Sequence, residues 1–256
     1  MKDLFSLKGK VAIITGGNGG IGKGMARGLA SAGSDIVIAA RNDTKTAEAK
    51  QEIEREFGVR ALGVQVDVRE EAQINAAVSR ALDAFGRIDI LVNNAGTNIR
   101  KMPQEFQTDE WDEVLHTNLR SVFVFSKAVY PAMKTAGGGK IVNIGSMMSI
   151  FGGPKFAPYG ASKGGVVQLT RSLATAWAQD NIQVNAILPG WVTTALALQT
   201  QKLFPGHKER VVERTPAGKW GEPDDLAGVA VFLASRASDF ITGVALPVDG
   251  GYSIMG

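Results

Sequence analysis

The stretch Thr15-Gly16-Gly17-Asn18-Gly19-Gly20-Ile21-Gly22 decides the fold of this 256-residue chain. It follows the apolar run Val11–Thr15 directly, and the segment Ile21–Ser31 after it has helical character. Glycines permit a tight turn and let a pyrophosphate approach the backbone, while the start of a helix offers unpaired N–H groups and the positive end of its dipole. The stretch therefore predicts a strand, a phosphate-binding turn and a helix.

The rest of the chain repeats this alternation of strand and helix. Short apolar runs rich in Val and Ile predict buried strands at Val11–Thr15, Ile36–Ala40, Leu62–Val68, Ile88–Asn93, Ile141–Ser146, Val184–Leu188 and Val244–Val248. Longer segments between them predict helices at Ile21–Ser31, Thr44–Phe57, Glu70–Phe85, Asp109–Met133, Tyr159–Gln179 and Pro223–Ala234. Such alternation is typical of right-handed βαβ units. It predicts a doubly wound, Rossmann-type α/β fold with a seven-stranded parallel sheet and helices on both faces.

Residues 1–256 are expected to form one dinucleotide-binding and catalytic domain, because no linker, repeat or low-complexity tract divides them. The connection from Trp191 to Pro216 is longer than usual and interrupts the alternation of strands and helices. Long connections in compact domains are often functional, so a substrate lid is expected at about 191–216, with a decorative insertion as the alternative.

Composition and charge exclude several classes of protein. The net charge of +3 is scattered in sign, which argues against a nucleic-acid partner. No apolar stretch approaches the roughly 18 residues of a membrane span, and the first ten residues lack a signal-peptide pattern. A protein of the cytoplasm is expected. The chain has no cysteine and only two histidines, so neither a disulfide framework nor a metal site is predicted.

The end of the second predicted strand bears on the choice of cofactor. Ala39-Ala40-Arg41-Asn42 lies about 20 residues after the glycine-rich turn, where a dinucleotide-binding fold reads the ribose. An acidic residue there would accept hydrogen bonds from a 2′-hydroxyl, but none is present. Ala40 leaves space, and Arg41 suits a phosphate. NADP(H) is therefore favoured over NAD(H), with a solvated turn arginine as the alternative.

Tyr159 and Lys163 form the candidate catalytic pair. Their four-residue spacing places both side chains on one face of the predicted helix. A tyrosine with an ordinary pKa near 10 is a reluctant base, and a neighbouring ammonium is expected to lower that pKa. A tyrosine and a lysine at this spacing are common by chance, so the pair alone does not establish chemistry.

Several further motifs give the chain its resemblance to the short-chain dehydrogenase/reductase family. In order they are Thr15-Gly-x-x-x-Gly20-Ile-Gly22, Asp67-Val68, Asn93-Asn94-Ala95-Gly96, Asn118, Ser146, Tyr159-x-x-x-Lys163, Pro189-Gly190 and Val248-Asp249-Gly250-Gly251. The resemblance covers nearly the whole chain. It favours the glycine register of Gly16, Gly20 and Gly22 over the alternative Gly17, Gly19 and Gly22.

The resemblance implies a role for each catalytic position. Tyr159 would be the general acid in reduction and the base in oxidation, and Ser146 would hydrogen-bond the reacting oxygen. Lys163 would hold the nicotinamide ribose, and Asn118 would position water in a proton relay. By the alternative interpretation, Ser146 is a strand-end hydroxyl and Asn118 is a helix residue that bonds nearby backbone.

The same resemblance implies which residues bind the dinucleotide. The turn contributes Gly16, Asn18, Gly20, Ile21 and Gly22, and the adenosine end takes Arg41, Asn42, Asp67, Val68, Asn94, Ala95 and Gly96. At the nicotinamide end the expected residues are Tyr159, Lys163, Pro189, Gly190, Val192 and Thr194. Asn93 is interpreted as mainly structural.

The substrate is less clearly indicated. The family usually shapes its pocket where this chain has Arg100, Met148 and Trp191. Arg100 suggests an anionic ligand, with a solvated loop arginine as the alternative. The segments 98–103 and 215–223 look like those of the gluconate 5-dehydrogenase and 2-deoxygluconate 3-dehydrogenase branch. A sugar, sugar-acid or polyol substrate is expected. A 3-oxoacyl-[acyl-carrier-protein] reductase and a non-catalytic dinucleotide-binding regulator are the alternatives, and the resemblance implies a homotetramer.

Overall fold

The computed structural model describes residues 3–195, 197–198, 201 and 206–255. Within these residues, seven strands form one parallel sheet in the order β3-β2-β1-β4-β5-β6-β7. The strands are β1 Val11–Thr15, β2 Asp35–Ala40, β3 Ala61–Gln65, β4 Ile90–Asn93, β5 Gly139–Ile144, β6 Ile182–Pro189 and β7 Ala245–Val248. The strand order reverses between β1 and β4, so a crevice opens at their carboxyl ends. This topology confirms the predicted fold class.

Helices cover both faces of the sheet. They are α1 Gly20–Ser31, α2 Asp43–Phe57, α3 Glu71–Phe85, α4 Thr108–Leu115, α5 Ser121–Thr135, α6 Ala157–Trp177, α7 His207–Arg214 and α8 Ala227–Ala234. One core joins α1, α2 and α8 to one face, and a second joins α3, α5 and α6 to the other. Alternate residues of β1 supply the two cores, with Ala12 and Ile14 in the first and Val11 and Ile13 in the second. Burial on both faces explains why the strands appear in the sequence as continuous apolar runs.

The single helix predicted over Asp109–Met133 is wrong in one respect. The helical path is continuous from α4 to α5, but one π-helical turn, His116–Arg120, lies between them. A π-turn inserts extra backbone into a helix and is often found at functional sites. Here it carries Asn118.

Other differences concern the ends of elements. The third and fifth strands end at Gln65 and Ile144, earlier than expected, so Asp67, Val68 and Ser146 lie in the loops that follow. The segment predicted as a helix from Pro223 begins with a 3₁₀ turn at Pro223–Leu226. These shifts place the candidate site residues at the carboxyl edge of the sheet.

The predicted lid at about 191–216 lies partly outside the described residues, namely at 196, 199, 200 and 202–205. Its final part contains α7 and runs to Pro216. None of the helices in the described part of the chain has the length and apolar character that crossing a bilayer requires.

Candidate active site

The turn between β1 and α1 has the geometry of a dinucleotide cradle. Gly16 and Gly20 have φ of +66° and +49°, a region that side chains disfavour. A Cβ on Gly22 would lie 2.3 Å from the Gly16 carbonyl oxygen and 2.4 Å from Asn94 Nδ2. Gly19 at the N-cap of α1 makes no side-chain cap, so the first N–H groups of the helix remain open to an anion. The backbone thus requires glycine in the register Gly16, Gly20 and Gly22.

Asn94 and Thr15 hold this turn against the end of β4. Asn94 Nδ2 donates to the Thr15 carbonyl oxygen at 2.9 Å and to the Gly16 carbonyl oxygen at 3.3 Å. Thr15 Oγ1 accepts from the backbone N–H groups of Asn94 and Ala95, both at 2.9 Å. The switch point of the sheet is therefore tied together by side-chain bonds that fix the cradle.

A depression beside the turn forms the adenosine end of the crevice. It is lined by predicted residues of the turn, of β2 and of the loops after β3 and β4, namely Gly16, Asn18, Arg41, Asn42, Asp67, Val68, Ala95 and Gly96. Lys45 and Arg69 also line it. Arg69 bonds both carboxylate oxygens of Asp67, and this contact holds the pKa of Asp67 below its usual range. Arg41 thus lies beside two further cations, Lys45 and Arg69, and the carboxylate of Asp67, and no acid stands at the carboxyl end of β2.

A second cleft follows at the nicotinamide end, with about 1020 Å³ of empty space that includes its opening to solvent. The predicted residues that line it are Ile21, Asn94, Gly96, Arg100, Ser146, Met148, Tyr159, Lys163, Pro189, Gly190, Trp191, Val192 and Thr194. The other lining residues are Thr97, Asn98, Ile144, Gly145, Met147, Phe156 and Ala197. Gly96 lines both depressions, so they adjoin along one crevice.

The helix α6 brings Tyr159 and Lys163 to the same point. Lys163 Nζ lies 5.8 Å from the centre of the Tyr159 ring and donates to the Ile144 carbonyl oxygen at 2.6 Å. The Lys163 side chain is buried, and desolvation lowers its pKa to about 8. A buried ammonium at the end of β5 is thus held by one backbone carbonyl.

Tyr159 differs electrostatically from the sequence-based expectation. Burial raises the pKa of the Tyr159 phenol, and this outweighs the lowering by a hydrogen bond with Ser146 and by the charge of Arg100. The predicted lowering of this pKa by Lys163 is therefore wrong, because burial dominates and the charge that acts on the phenol is that of Arg100. Because burial raises this pKa, the phenol is protonated at neutral pH, which is the form that donates a proton.

Ser146 is positioned by a small capped turn after β5. Its hydroxyl accepts from the Met148 N–H at 3.1 Å, and its own N–H donates to Ser149 Oγ at 3.2 Å. Ser149 Oγ in turn donates to the Lys163 carbonyl oxygen at 2.8 Å. The loop is thereby fastened to α6, and Ser146 stays within hydrogen-bonding reach of Tyr159.

The π-turn places Asn118 behind the catalytic pair. Asn118 is fully buried; its Oδ1 accepts from the Thr97 N–H at 2.8 Å, and its Nδ2 donates to the Thr97 carbonyl oxygen at 2.9 Å and to Ser162 Oγ at 3.1 Å. Ser162 Oγ donates to the Tyr159 carbonyl oxygen at 2.8 Å. Both Asn118 Oδ1 and Lys163 Nζ approach Gly96. Sequence reasoning missed Ser162, although it precedes Lys163 directly.

The far end of the cleft is aromatic and cationic. The Arg100 guanidinium stacks 5.2 Å from the centre of the Phe156 ring, and its charge acts on Tyr159. Trp191 contacts Trp220 and His207, with ring centres 5.8 and 4.4 Å away. The sequence analysis did not single out Phe156 or His207, because neither belongs to a motif with a fixed spacing.

Asn93 has the structural role that was predicted for it. Its Nδ2 donates to Ser126 Oγ at 3.2 Å and to Asn143 Oδ1 at 2.9 Å, and Asn143 Nδ2 donates to Thr170 Oγ1 at 2.9 Å. All four residues are buried. This polar ladder joins β4 and β5 to the helices beside them and does not reach the cleft.

Comparison with known proteins agrees with this geometry. A family model described as enoyl-(acyl carrier protein) reductase matches residues 16–253. The chain is 46% identical over 252 residues to the 2-dehydro-3-deoxy-D-gluconate 5-dehydrogenase of Escherichia coli (strain K12), with 97% of each chain covered. This chain belongs to the short-chain dehydrogenase/reductase family. It is an oxidoreductase that acts on alcohol and carbonyl groups, so the prediction of an enzyme is confirmed and the regulator alternative is wrong.

Other members of the short-chain dehydrogenase/reductase family are similar over the whole chain. The gluconate 5-dehydrogenase of Gluconobacter oxydans (strain 621H) is 40% identical over 254 residues, with 98% of each chain covered. A gluconate 5-dehydrogenase from Burkholderia cenocepacia J2315, solved in complex with NADP and tartrate, is 43% identical with a TM-score of 0.93 and 98% coverage of both chains. The predicted resemblance to the gluconate dehydrogenase branch is confirmed.

The crevice of this family member fits a dinucleotide on the evidence of its own atoms. The turn leaves no room for a Cβ at Gly22, the N-terminus of α1 is uncapped, and the adenosine depression and the catalytic cleft adjoin. Such an arrangement accepts an extended ligand with a central pyrophosphate.

Proposed function

We propose that this enzyme interconverts the keto and hydroxy forms of sugar acids with NADP(H) as the hydride carrier. The observation that carries the proposal is the position of Arg100, whose guanidinium shares one cleft with the Tyr159 phenol and acts on it electrostatically. A half-buried guanidinium suits a carboxylate, and a polyhydroxy acid anchored there can extend its carbonyl toward Tyr159. Relatives named as gluconate and 2-dehydro-3-deoxy-D-gluconate dehydrogenases support this substrate class. Met148 and Trp191 would enclose the sugar chain.

The catalytic residues would divide the proton chemistry among them. In reduction, the neutral phenol of Tyr159 donates its proton to the carbonyl oxygen, while Ser146 hydrogen-bonds the same oxygen as negative charge develops. Lys163 holds the ribose and returns a proton to Tyr159 from the Asn118 side, where Asn118 positions water. The bound nicotinamide supplies or accepts the hydride.

The expected cofactor contacts follow the two depressions. Gly16, Asn18, Gly20, Ile21 and Gly22 would hold the pyrophosphate, with Asp67, Val68, Asn94, Ala95 and Gly96 around the adenosine and its ribose. Pro189, Gly190, Val192 and Thr194 would contact the nicotinamide end together with Tyr159 and Lys163.

The preference for NADP(H) over NAD(H) rests on the cations at the adenosine end. Arg41 and Lys45 line the depression, and Asn42 Oδ1 accepts from the Lys45 N–H at 2.9 Å, which fixes the start of α2 there. A 2′-phosphate would pair with these cations, whereas a 2′-hydroxyl finds no acid at the carboxyl end of β2, which closes with Ala39 and Ala40. The test is kcat/KM for NADPH and NADH at equal concentration; a clear preference for NADH would contradict the assignment.

The substrate class is tested by a screen in both directions. We expect NADPH oxidation with 5-keto-D-gluconate and little with an acetoacetyl thioester; the reverse result would favour the 3-oxoacyl-[acyl-carrier-protein] reductase alternative. Replacing Arg100 with Met should raise KM for the keto acid by about 10- to 100-fold, as expected for a lost charge-assisted bond of about 1.5–3 kcal/mol. Arg236→Met, at an exposed position outside the cleft, is the matched control.

The proposal includes a homotetramer in the cytoplasm. Apolar side chains are exposed on the outer helices, where Trp111 and Phe123 are 37% and 45% exposed, and near the edge strand β7, where Phe240 and Ile254 lie open. Two such surfaces would support a dimer of dimers. Light scattering should give four times the 27.1 kDa chain mass, whereas a monomer would contradict this state. Cell fractionation tests the location.

We also propose that the segment at about 191–216 acts as a substrate lid on this single catalytic domain. Trp191 and Ala197 line the cleft, while Ala197 also packs with Val211 of α7 and with Trp220. The start and the end of the segment are therefore packed together beside the cleft. Cleavage of this segment by a protease should slow when NADPH and the keto acid bind, and equal cleavage rates would contradict a lid.

A further inference from the structure

Among the described residues, three buried polar atoms at the substrate end have no hydrogen-bond partner. They are Asn98 Oδ1, His207 Nε2 and Trp220 Nε1. An unsatisfied buried polar atom costs about 1–3 kcal/mol, and such atoms in native proteins require an explanation. Asn98 lines the cleft two residues before Arg100, and His207 and Trp220 are in ring contact with the cleft residue Trp191. The energetic cost of these unsatisfied polar atoms is therefore concentrated at one end of the active site.

His207 stands directly behind the wall of the cleft. It is the first residue of α7, and Gly206 before it has a φ of +76°. The imidazole meets Trp191 edge to face at 4.4 Å and 73°, and Trp220 at 6.4 Å and 75°. One aromatic ring thus separates the imidazole from the space in which the substrate would lie.

The charges that act on His207 are all positive in the part of the chain that the structure describes. The charge of Arg100, in the loop after β4, acts on the imidazole, and so does that of Arg210 on its own helix. A third cation is close by: Lys208 Nζ lies 5.6 Å from the centre of the Trp220 ring, which itself contacts His207. Burial and then the two arginines lower the pKa of His207, so the imidazole is neutral at pH 7.

We propose that His207 is a specificity-determining residue, which takes up a proton when the carboxylate of a substrate pairs with Arg100 and thereby strengthens the binding of acids over neutral sugars. This inference rests on the proposed function of the same cleft. The carboxylate offsets the charge of Arg100 and adds a negative charge near the imidazole. A neutral sugar brings no charge and leaves His207 neutral.

The proposal predicts in which direction KM for a sugar acid changes with pH. Because the acid binds together with a proton, its KM falls as the pH falls toward and below the ordinary histidine value of about 6.5. The KM of a neutral keto sugar carries no such dependence on His207. The effect on the acid is expected to approach about tenfold, which corresponds to a rise of one unit in the pKa of His207.

The most direct test is an NMR titration of the enzyme labelled at histidine Cε1. The chain has only two histidines, so His116→Gln assigns the His207 resonance. Saturating D-gluconate with NADPH, a pair that cannot react, should raise the pKa of His207 by about one unit, and sorbitol with NADPH should leave it in place. In Arg100→Gln the pKa of His207 should be higher without ligand and should no longer respond to gluconate.

The outcomes separate the two proposals. Binding of gluconate, followed by tryptophan fluorescence, with an unmoved His207 titration would overturn the inference and leave the proposed function intact. No binding of gluconate and no turnover of the keto acid would defeat the proposed function and the inference with it.

The pH dependence of KM distinguishes the proposed role of His207 from a merely structural one. In the wild type, KM for 5-keto-D-gluconate should fall between pH 7.5 and 5.5 by up to about tenfold. His207→Gln should flatten that profile, while His116→Gln, at an exposed position, should retain it. A packing role alone would lower Tm in His207→Gln and leave the pH dependence of KM as it is, which would contradict the proposal.

Discussion

The two ends of the crevice are built in different ways. At the adenosine end, backbone geometry and short side-chain bonds between strand ends fix the site, as with Asn94 across Thr15 and Gly16. At the substrate end, Arg100 and Trp191 come from loops and His207 from the start of α7, and three buried polar atoms of the described residues nearby have no hydrogen-bond partner. The first end is held by its backbone and suits any dinucleotide. At the second end, the unsatisfied polar atoms and their energetic cost lie where the substrate would bind.

Because of this contrast, we expect substitutions at the two ends to have different effects. A substitution in the cradle should lower turnover of every substrate, because the turn leaves no room for a Cβ at Gly22. A change among Arg100, Phe156 and His207 should alter which substrate is used and leave dinucleotide binding in place. The variants below test each side of that division.

The largest expected effect belongs to Gly22→Ala. The new Cβ would meet the Gly16 carbonyl oxygen at 2.3 Å and Asn94 Nδ2 at 2.4 Å, so the turn cannot keep its shape. We expect kcat/KM to fall by more than about 100-fold, equivalent to roughly 3 kcal/mol, or the melting temperature to drop measurably. Wild-type kinetics together with wild-type Tm would contradict the account of the cradle.

A smaller effect is expected from Arg41→Ser at the same end. Losing one charge-assisted contact of about 1.5–3 kcal/mol should raise KM for NADPH by 10-fold or more and leave KM for NADH nearly unchanged. Arg171→Ser, at an exposed position on α6, serves as the control. Equal losses with both cofactors would show that Arg41 does not read the 2′-phosphate.

Lys163→Met tests the cost of the buried ammonium. The folded-state pKa of about 8 lies below the ordinary 10.5, so the unfolded chain binds more protons between these values and this group makes the protein more stable as pH rises through that window. Below pH 8 the cost is complete, at most about 3 kcal/mol. We expect Lys163→Met to abolish activity yet raise the free energy of unfolding by about 1–2 kcal/mol at pH 7, after loss of the bond to Ile144.

Urea unfolding at pH 7 and pH 10 measures this effect. The advantage of Lys163→Met should shrink at the higher pH, where the wild-type lysine is neutral in the folded state. Lys127→Met removes an exposed lysine and should show neither change. A Lys163→Met protein less stable than the wild type at pH 7 would contradict the assigned cost.

The smallest effect is expected from Gly228→Ala, the counterpart of Gly22→Ala. Gly228 lies in α8, is exposed, and a Cβ there would meet nothing within 4 Å. Alanine should stabilise the protein by about 0.5–1 kcal/mol through helix propensity, without changing kcat or KM. A loss of stability would mean that the surroundings of α8 are closer than the structure shows.

The sequence was sufficient for the parts of the fold that follow a period or a spacing. Buried parallel strands are short apolar runs, so β1 at Val11–Thr15 matched to the residue and the others shifted by one to three residues at an end. The glycine register also followed, since it depends on backbone conformation at Gly16, Gly20 and Gly22. The π-turn at Asn118 did not, because one extra residue in a turn leaves the apolar pattern almost unchanged.

Features that depend on three-dimensional burial could not be predicted. The expected influence of Lys163 on Tyr159 was inferred from spacing, yet desolvation dominates the pKa of both groups. His207 belongs to no motif and reaches Trp191 only through the fold. Roles at the substrate end thus emerge from loops that the sequence pattern does not place.

The measurement that tests the central claim most directly is the turnover of Tyr159→Phe with a keto acid and NADPH, beside NADPH binding by fluorescence. Phenylalanine keeps the ring against Phe156 and removes only the hydroxyl. We predict unchanged NADPH affinity and a kcat lower by about 100-fold or more, since proton donation is lost. Turnover close to that of the wild type would show that another group protonates the carbonyl oxygen.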